Sequence, residues 1–325
     1  MLRSIGAKCS FASLAMWCLA TVAAAQDYPQ RPIQVIVPYS AGGPSDAIAR
    51  VISKSASEII GQPILISNRG GAGGLLGADA GAKASPDGYT AVMLSPGQVG
   101  IALATRKTVP YDPVKDFVPV IQLVEDTLIL CVSNGLPVSN MAGLIAYLKA
   151  HPGQLNYSSA GAGSMTNMAM ELFKRSVGTD IVHVPYKNST EGMMAVLSGE
   201  VSLAFASPSG IKPFLEGGKL KPLAIASAHR STVVPDVPTM AEMGLADLDA
   251  PLWYILAVPK GTPTAAIRKL HDAYAEALKT REVREGLATL GVEIVGAGPE
   301  AVGHLIQADI ARWSGVAKSG DISLQ

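Results

Sequence analysis

The feature that most constrains this chain is the alternation of short β-branched runs with segments of helical periodicity. The run 33–37 ends at Pro38, and apolar residues then recur at helical spacing from Ile48 to Ile60. The run 64–66, a helix at 75–84 and a strand at 89–94 repeat the theme. This order predicts an α/β fold, in which a parallel sheet carries helices on its faces.

The remaining chain continues the alternation without a long linker or an internal repeat. Strands are predicted at 128–132, 155–158, 181–184, 201–205, 223–226 and 292–295, and helices at 141–150, 165–176, 191–198, 262–279, 282–290 and 299–313. Thr262 is the expected N-cap of its helix, with Pro263 in the first turn, and Gly291 is the expected stop after 282–290. Two α/β lobes in one chain are the predicted architecture.

The first 25 residues have the pattern of a cleavable signal peptide. Arg3 and Lys8 precede an apolar stretch, and Ala23-Ala24-Ala25 supplies small residues for cleavage after Ala25. The apolar stretch is shorter than a membrane-spanning helix requires. The predicted mature chain, 26–325, is long enough for two domains, and we expect it in the periplasm.

Charge and cysteine content exclude several classes of protein. The 26 Lys+Arg balance the 26 Asp+Glu, and loss of Arg3 and Lys8 leaves a net charge of −2. Without a basic stripe, nucleic acid is not an expected partner. Cys9 and Cys18 leave with the signal peptide, so Cys131 alone remains and an intrachain disulfide is impossible.

Motifs for catalysis, metals and cofactors do not appear in the expected form. In Gly71–Gly77 a leucine, Leu76, stands where a dinucleotide fingerprint needs its third glycine, and Gly161-Ala162-Gly163-Ser164 is not a nucleophile elbow. The five histidines lack zinc-site spacing. We therefore predict no enzyme, no cofactor and no metal. A secreted hydrolase is the alternative that turnover of esters or amides would reveal.

The loop Ser40–Asp46 is the first candidate for ligand binding. Gly42 and Gly43 let a ligand approach the backbone, and the helix that follows presents free N–H groups and a positive dipole end. Such a helix start binds anions without a lysine. The alternative is a plain strand–helix turn capped by Ser45, and Asp46 either caps the helix or contacts ligand.

Further candidates follow other predicted strands. Ser159–Ser164 again joins a strand to a helix start, and Asn167 lies one turn along that helix. Ser95-Pro96-Gly97-Gln98 follows the strand 89–94, where ligands of open α/β sheets gather, and Gln98 offers a donor and an acceptor. Tyr186 could line a cleft, while Lys187 is either a surface residue or a ligand contact.

An ordered set of loop motifs resembles one family over essentially the whole mature chain. The set includes Val37-Pro38-Tyr39-Ser40-Ala41-Gly42-Gly43-Pro44-Ser45-Asp46, Asn68-Arg69-Gly70-Gly71-Ala72-Gly73-Gly74, Ser85-Pro86-Asp87-Gly88-Tyr89, Tyr111-Asp112-Pro113, His183-Val184-Pro185-Tyr186-Lys187 and Val234-Pro235-Asp236-Val237-Pro238-Thr239. In this order and spacing the sequence is similar to the receptors of tripartite tricarboxylate transporters, also called Bug proteins.

The resemblance implies a two-domain periplasmic binding protein, or Venus flytrap, with two crossing hinge strands and a central ligand cleft. Domain 1 would comprise 26–127 plus 252–325, and domain 2 would comprise 128–251. The implied ligand is a small di- or tricarboxylate or aromatic carboxylate, and the implied partners are membrane transporter subunits. The protein is expected to be a monomer. A sensor domain as the partner is the alternative.

The predicted ligand-binding set combines both arguments. It comprises Tyr39, Ser40, Ala41, Gly42, Gly43, Ser45, Asp46, Ser95, Pro96, Gln98, Ser159, Ala160, Gly161, Ser164, Asn167, Tyr186, Ala206 and Ser207. The resemblance implies that relatives often carry a polar pair, commonly Asp-Asn, where Ala206-Ser207 stand here. Because an acidic side chain would suit a ligand amine, its absence predicts a carboxylate without an amino group.

Overall fold

The computed structural model describes residues 28–320 and contains two β-sheets with helices packed on them. The predicted signal peptide and its cleavage site lie outside the described residues. The two sheets confirm the predicted mixed α/β fold of two domains, and each is described below from its strands.

The first sheet has six strands in the order β11-β4-β10-β3-β1-β2. The strands are β1 (Ile33–Val37), β2 (Ile64–Asn68), β3 (Thr90–Leu94), β4 (Phe117–Asp126), β10 (Leu252–Pro259) and β11 (Glu293–Ile294). β1 pairs in parallel with β2 and β3. β10 runs antiparallel between β3 and β4, and β11 runs antiparallel to β4.

The second sheet has five strands in the order β7-β6-β8-β5-β9. They are β5 (Ile129–Val132), β6 (Asn156–Ser159), β7 (Val182–Pro185), β8 (Leu203–Ala206) and β9 (Lys221–Ile225). β6 pairs in parallel with β7 and β8, whereas β5 is antiparallel to β8 and β9. The parallel sheet predicted from 33–37, 64–66 and 89–94 is confirmed for β1, β2 and β3, and each sheet also contains antiparallel strands. A strand that enters from the other sheet, β5 or β10, runs opposite to its neighbours.

Ten α-helices accompany these strands among the described residues. They are α1 (Pro44–Ile60), α2 (Leu75–Ala82), α3 (Gly100–Thr105), α4 (Met141–Ala150), α5 (Met165–Val177), α6 (Ser189–Ser198), α7 (Pro208–Glu216), α8 (Thr264–Ala277), α9 (Arg281–Leu290) and α10 (Pro299–Gly320). α1 buries Ile48, Ile52 and Ala56 along one stripe, as its spacing predicts. It ends at Gly61, which adopts the left-handed conformation with φ 76°.

The start of α8 differs from the sequence prediction. The helix begins at Thr264, and Pro263 occupies the capping position. The Thr262 hydroxyl donates instead to the carbonyl of Pro259 at 2.8 Å, closing the turn after β10. The prediction of Thr262 as N-cap is thus wrong by one residue, because the hydroxyl finds a backbone acceptor on the preceding side.

The chain crosses between the sheets twice. It leaves the first sheet after Asp126 and enters the second at Ile129, and it returns between Ile225 and Leu252. The loops after β1, β3, β6, β7 and β8 all leave the carboxyl ends of parallel strands, where open α/β sheets bind ligands. These loops meet in the space between the two sheets, as the contacts below establish.

The structure also bears on membrane insertion and on the remaining thiol. Within residues 28–320, no helix combines the length and the apolar character that crossing a bilayer demands. Cys131 lies on β5, is fully buried, and forms no disulfide. Burial raises the pKa of its thiol, which keeps it protonated and unreactive.

Candidate ligand-binding cleft

A small central cavity lies between the two sheets and has a volume of about 30 Å³. Its lining residues are Tyr39, Pro44, Ser45, Ser95, Leu128, Ala160, Ser164, Met165, Thr166, Asn188, Ser189, Ser207, Leu252 and Tyr254. No residue of this lining carries a charged side chain. Hydroxyl, amide and backbone groups are therefore the polar partners that it offers.

Four helices start at the lining of the central cavity. α1 starts with Pro44, α5 follows its N-cap Ser164, α6 follows Asn188, and α7 follows Ser207. A helix start carries about half a positive elementary charge. The sequence predicted the starts of α1 and α5, and the structure adds those of α6 and α7.

Backbone N–H groups at these starts are free to bind a ligand. The first N–H groups of a helix have no acceptor within that helix. The N–H groups of Ser45, Met165 and Ser189 donate no hydrogen bond to another described residue. Each of these three residues lines the central cavity. The cavity is consequently rich in unpaired donors, and an anion satisfies such donors.

The loop before α5 is held by side chains of its own helix. The Asn167 side chain accepts from Gly163 N at 2.9 Å, and the Thr166 hydroxyl accepts from Ala160 N at 3.0 Å. Ser164 caps the helix through its contact with Asn167 N. Asn167 is 2% exposed. It therefore positions the loop from behind, whereas Ala160, Ser164 and Thr166 line the cavity.

Asp46 plays the corresponding part in the loop before α1. Its carboxylate accepts from Gly42 N at 3.0 Å, from Asn68 at 3.0 Å and from the Arg50 guanidinium at 3.0 Å. Burial works to raise the pKa of Asp46, but the bonds from Arg50, Gly42 and Asn68 outweigh it and hold the pKa below its usual value. Of the two roles open for Asp46, the contacts favour support of the glycine loop.

Tyr39 is fixed at the cavity by Gln98. The Gln98 amide donates to the Tyr39 hydroxyl at 2.9 Å and to Gly73 O at 2.9 Å, and its carbonyl accepts from the Ser95 hydroxyl at 2.8 Å. Gln98 is 0% exposed. Its polar atoms are thus bonded within the protein, so it orients Tyr39 and Ser95, which line the cavity.

The two sides of the cleft are in contact with each other. A Cβ atom at Gly43 would lie 3.0 Å from Cβ of Asn188. One at Gly73 would lie 2.3 Å from the carbonyl oxygen of Ala162. The Arg106 guanidinium also donates to Ala162 O at 2.9 Å. Residues of the first sheet's loops therefore touch those of the second, and the absence of side chains at two glycines permits this approach.

An outer groove lies beside the central cavity and includes several other predicted residues. It is lined by Ser40, Gly70, Gly71, Ala72, Gly73, Ala160, Gly161, Ala162, Pro185, Tyr186, Lys187 and Glu191. Tyr186 points its hydroxyl toward Glu200 at 3.4 Å. Ala160 belongs to both the groove and the cavity. The groove therefore borders the cavity at Ala160.

The structure brings six predicted residues to the central cavity. They are Tyr39, Ser45, Ser95, Ala160, Ser164 and Ser207. Three others, Ser40, Gly161 and Tyr186, line the outer groove. The remainder, Ala41, Gly42, Gly43, Asp46, Pro96, Gln98, Ser159, Asn167 and Ala206, line neither space. Their role in binding stays a prediction.

Several lining residues were missed by sequence reasoning. Leu128, Leu252 and Tyr254 come from the two segments where the chain crosses between the sheets, and nothing in their local sequence marks them. Asn188 does carry a signal, because Asn followed three residues later by Glu191 is a helix-start pattern. Its side chain accepts from Glu191 N at 2.9 Å and confirms that signal.

Among the described residues, no three His, Cys, Asp or Glu side chains lie close enough together to hold a metal ion. His183, the histidine nearest the cleft loops, contacts the Ser159 hydroxyl at 2.6 Å and stacks on Tyr157. Burial lowers the pKa of His183, so its ring is neutral at pH 7. It supports the loop after β6.

Known proteins share this architecture. Protein BugT of Bordetella pertussis is 35% identical over 308 residues, which cover 94% of each chain. The structure of MatC from Rhodopseudomonas palustris with bound malate is 35% identical, with a TM-score of 0.86 over 89% of this chain and 100% of that one. R. palustris Rpa4515 with adipate is 36% identical, with a TM-score of 0.84 over 90% of this chain and 98% of that one.

The family assignment rests on most of the chain. Residues 48–321 match the family described as the tripartite tricarboxylate transporter family receptor. The family is established by this match, by the two sheets with a cleft between them, and by the similar proteins named above. The chain belongs to the tripartite tricarboxylate transporter receptors, the Bug family of periplasmic solute-binding proteins.

Proposed function

We propose that this protein captures a small dicarboxylate in the central cavity and delivers it to a membrane transporter. The observation that carries the proposal is the convergence of four helix starts on a cavity whose lining has no charged side chain. Four ends of about half a charge each compensate about two negative charges, the charge of a dicarboxylate at neutral pH. The malate and adipate of the two relatives are dicarboxylates.

Neutral donors suit a carrier that must release its ligand. Burying a carboxylate against a lysine or arginine removes two ions from water, and the desolvation penalty is large for both. Backbone N–H groups and hydroxyls have already been ordered by folding, and they stabilise an anion without a second buried charge. The free N–H groups of Ser45, Met165 and Ser189 are the donors proposed for this role.

The proposed mechanism is closure of two domains around the ligand. The proposed division is 26–127 plus 252–325 for domain 1, which provides α1, and 128–251 for domain 2, which provides α5, α6 and α7. A ligand that bonds to both domains favours the closed arrangement over the open one. The transporter subunits would recognise this closed form. Export by the predicted signal peptide would place the receptor in the periplasm.

The test is isothermal titration calorimetry of the mature chain, 26–325, against dicarboxylates of four to six carbons, citrate and benzoate. The diamide of each dicarboxylate is the matched control, because it keeps the shape and loses both charges. We expect binding of a dicarboxylate with a Kd on the order of micromolar, about −8 kcal/mol, and none of its diamide. If no carboxylate binds protein that was unfolded, dialysed and refolded to remove carried-over ligand, the proposal fails.

A further inference from the structure

A chain of hydrogen bonds leads from a buried carboxylate to the central cavity. The Ser209 hydroxyl donates to Asp126 Oδ2 at 3.2 Å, and the Ser207 and Ser209 hydroxyls lie 2.7 Å apart. Ser207 lines the cavity and is 2% exposed, while Asp126 is 6% exposed and lies outside the lining. The two serines therefore connect this carboxylate to the cavity.

The direction of this chain is fixed when Asp126 is ionised. An ionised carboxylate accepts hydrogen bonds and donates none, so Ser209 turns its proton toward Asp126. The Ser209 oxygen then accepts from Ser207. With its proton used in this way, Ser207 presents only lone pairs to the cavity, in contrast to the donors at the helix starts.

We propose that Ser207, oriented by Asp126 through Ser209, accepts a hydrogen bond from a ligand hydroxyl and makes this receptor selective for hydroxylated dicarboxylates. The inference rests on the proposed function, since it names the class of dicarboxylate bound. A hydroxyl fits better than an ammonium, because four positive helix ends surround the same cavity. Asp126 and Ser209 act as positioning residues in this arrangement, and Ser207 is the contact.

The ionisation of Asp126 adds a second readout. Burial, partly offset by hydrogen bonds that the carboxylate accepts, raises the pKa of Asp126 to about 7. When protonated, the carboxyl can donate to Ser209, and Ser207 is then free to point its proton into the cavity. The acceptor form of Ser207 is therefore favoured above pH 7, and the preference for a ligand hydroxyl weakens as the pH falls through that value.

Other titratable groups face Asp126 from a neighbouring cavity at the hinge. They are Glu125, His229, Arg230, Asp249 and Glu293. Tyr254 is a further neighbour, and its pKa is raised by burial and, to a smaller extent, by the Asp126 charge. Burial, with the nearby carboxylates of Glu293 and Asp249, also raises the pKa of Glu125. A variant of Asp126 itself is therefore needed to assign the pH effect.

The test compares ligand pairs that differ only by one hydroxyl: malate with succinate, 2-hydroxyglutarate with glutarate, and 2-hydroxyadipate with adipate. Kd values are measured by calorimetry at pH 8.0 and 6.0 for wild type, Asp126→Asn and Ser207→Ala. The control is Asp309→Asn, which alters a buried carboxylate that bonds to Gly100 N and lies outside the cavity lining. Aspartate and glutamate form the amino-acid arm.

At pH 8.0 we expect the hydroxylated member of at least one pair to bind wild type about tenfold more tightly or better. This ratio should fall to about one in Asp126→Asn and Ser207→Ala, and should persist in Asp309→Asn. In wild type the ratio of the two Kd values should be smaller at pH 6.0 than at pH 8.0, whereas in Asp126→Asn the ratio should be the same at both pH values. A merely structural role of Asp126 would weaken both members of a pair equally.

The outcomes separate the two proposals. If an unsubstituted dicarboxylate binds as tightly as its hydroxylated partner in every pair that binds, hydroxyl selectivity is wrong and the proposed function stands. If the amino acid binds more tightly than the hydroxy acid, the ligand class inferred here is wrong. If no carboxylate of the pairs or the wider panel binds refolded protein, the proposed function fails and the selectivity fails with it.

Discussion

A side chain at Gly43 should weaken ligand binding by obstructing the approach of the two domains. Gly43 precedes α1 with φ −87°, a conformation open to any residue. Its missing Cβ would lie 3.0 Å from Cβ of Asn188, the residue that caps α6 on the opposite side of the cleft. The clash exists only when the two sides are together, and closure is the step that the proposed mechanism couples to binding.

The size of the effect follows from the contact distance. Overpacking a close contact costs about 1–3 kcal/mol, and 1.4 kcal/mol corresponds to a factor of ten. Gly43→Ala should therefore raise Kd by about fivefold to 150-fold, and Gly43→Val, whose branched side chain is larger, should abolish measurable binding. Alanine is also a poorer N-cap, which costs about 0.5–1 kcal/mol of fold stability, but this cost is the same in open and closed states and cancels in Kd.

The assay is calorimetry with the tightest dicarboxylate of the panel, alongside thermal unfolding without ligand. Asn188→Gly removes the opposing Cβ and retains an acceptable N-cap residue, so Gly43→Ala with Asn188→Gly should bind as well as Asn188→Gly alone. The reasoning would be refuted if Gly43→Ala bound within twofold of wild type, or if its deficit persisted undiminished in the double variant.

Three further predictions test the surroundings of the cavity. Tyr39→Phe removes the acceptor of the Gln98 amide and should lower the free energy of unfolding by about 1 kcal/mol in urea denaturation, the worth of one hydrogen bond; an unchanged stability would contradict it. Arg106→Ala loses the bond to Ala162 O across the cleft and should speed ligand release severalfold in stopped-flow fluorescence, with little change in association. Asp309, whose pKa burial raises to about 7, holds a proton that the unfolded chain releases near pH 4, so stability falls as pH rises between these values. Asp309→Asn should reduce the change of unfolding free energy with pH, measured by urea unfolding from pH 4.5 to 7.5. Some dependence on pH should remain, because the pKa of Asp126 is raised in the same way.

Sequence periodicity predicted the strands and helices whose buried apolar residues form a pattern within the element itself. The strand at β1 and the helix α1 each have a run or a stripe of apolar residues that identifies them. β4 and β10 were missed, although they are the longest strands described, because Pro119 interrupts one and neither is followed at once by a helix. Their pairing is antiparallel and joins residues more than 120 positions apart, which local patterns cannot show.

The site was predicted in part for the same reason. Glycine-rich turns between a strand and a helix mark the loops before α1 and α5, and both lie at the cavity. The start of α7 has only Ser207-Pro208, a common pair whose position at the cavity depends on how the second sheet is oriented. The contact between Ser209 and Asp126 spans 83 residues and joins α7 to β4, so only the folded structure could reveal it.

The distribution of helix starts explains why closure would depend on the ligand. α1 starts on one side of the cleft, and α5, α6 and α7 start on the other. Bringing four positive dipole ends together around an empty, uncharged cavity is unfavourable, because like partial charges then face one another with little water between them. A dicarboxylate reverses the sign of that interaction, since each end gains a negative partner. The same feature that binds the anion thus opposes closure without it, and a transporter that recognises the closed form would receive loaded receptors in preference to empty ones.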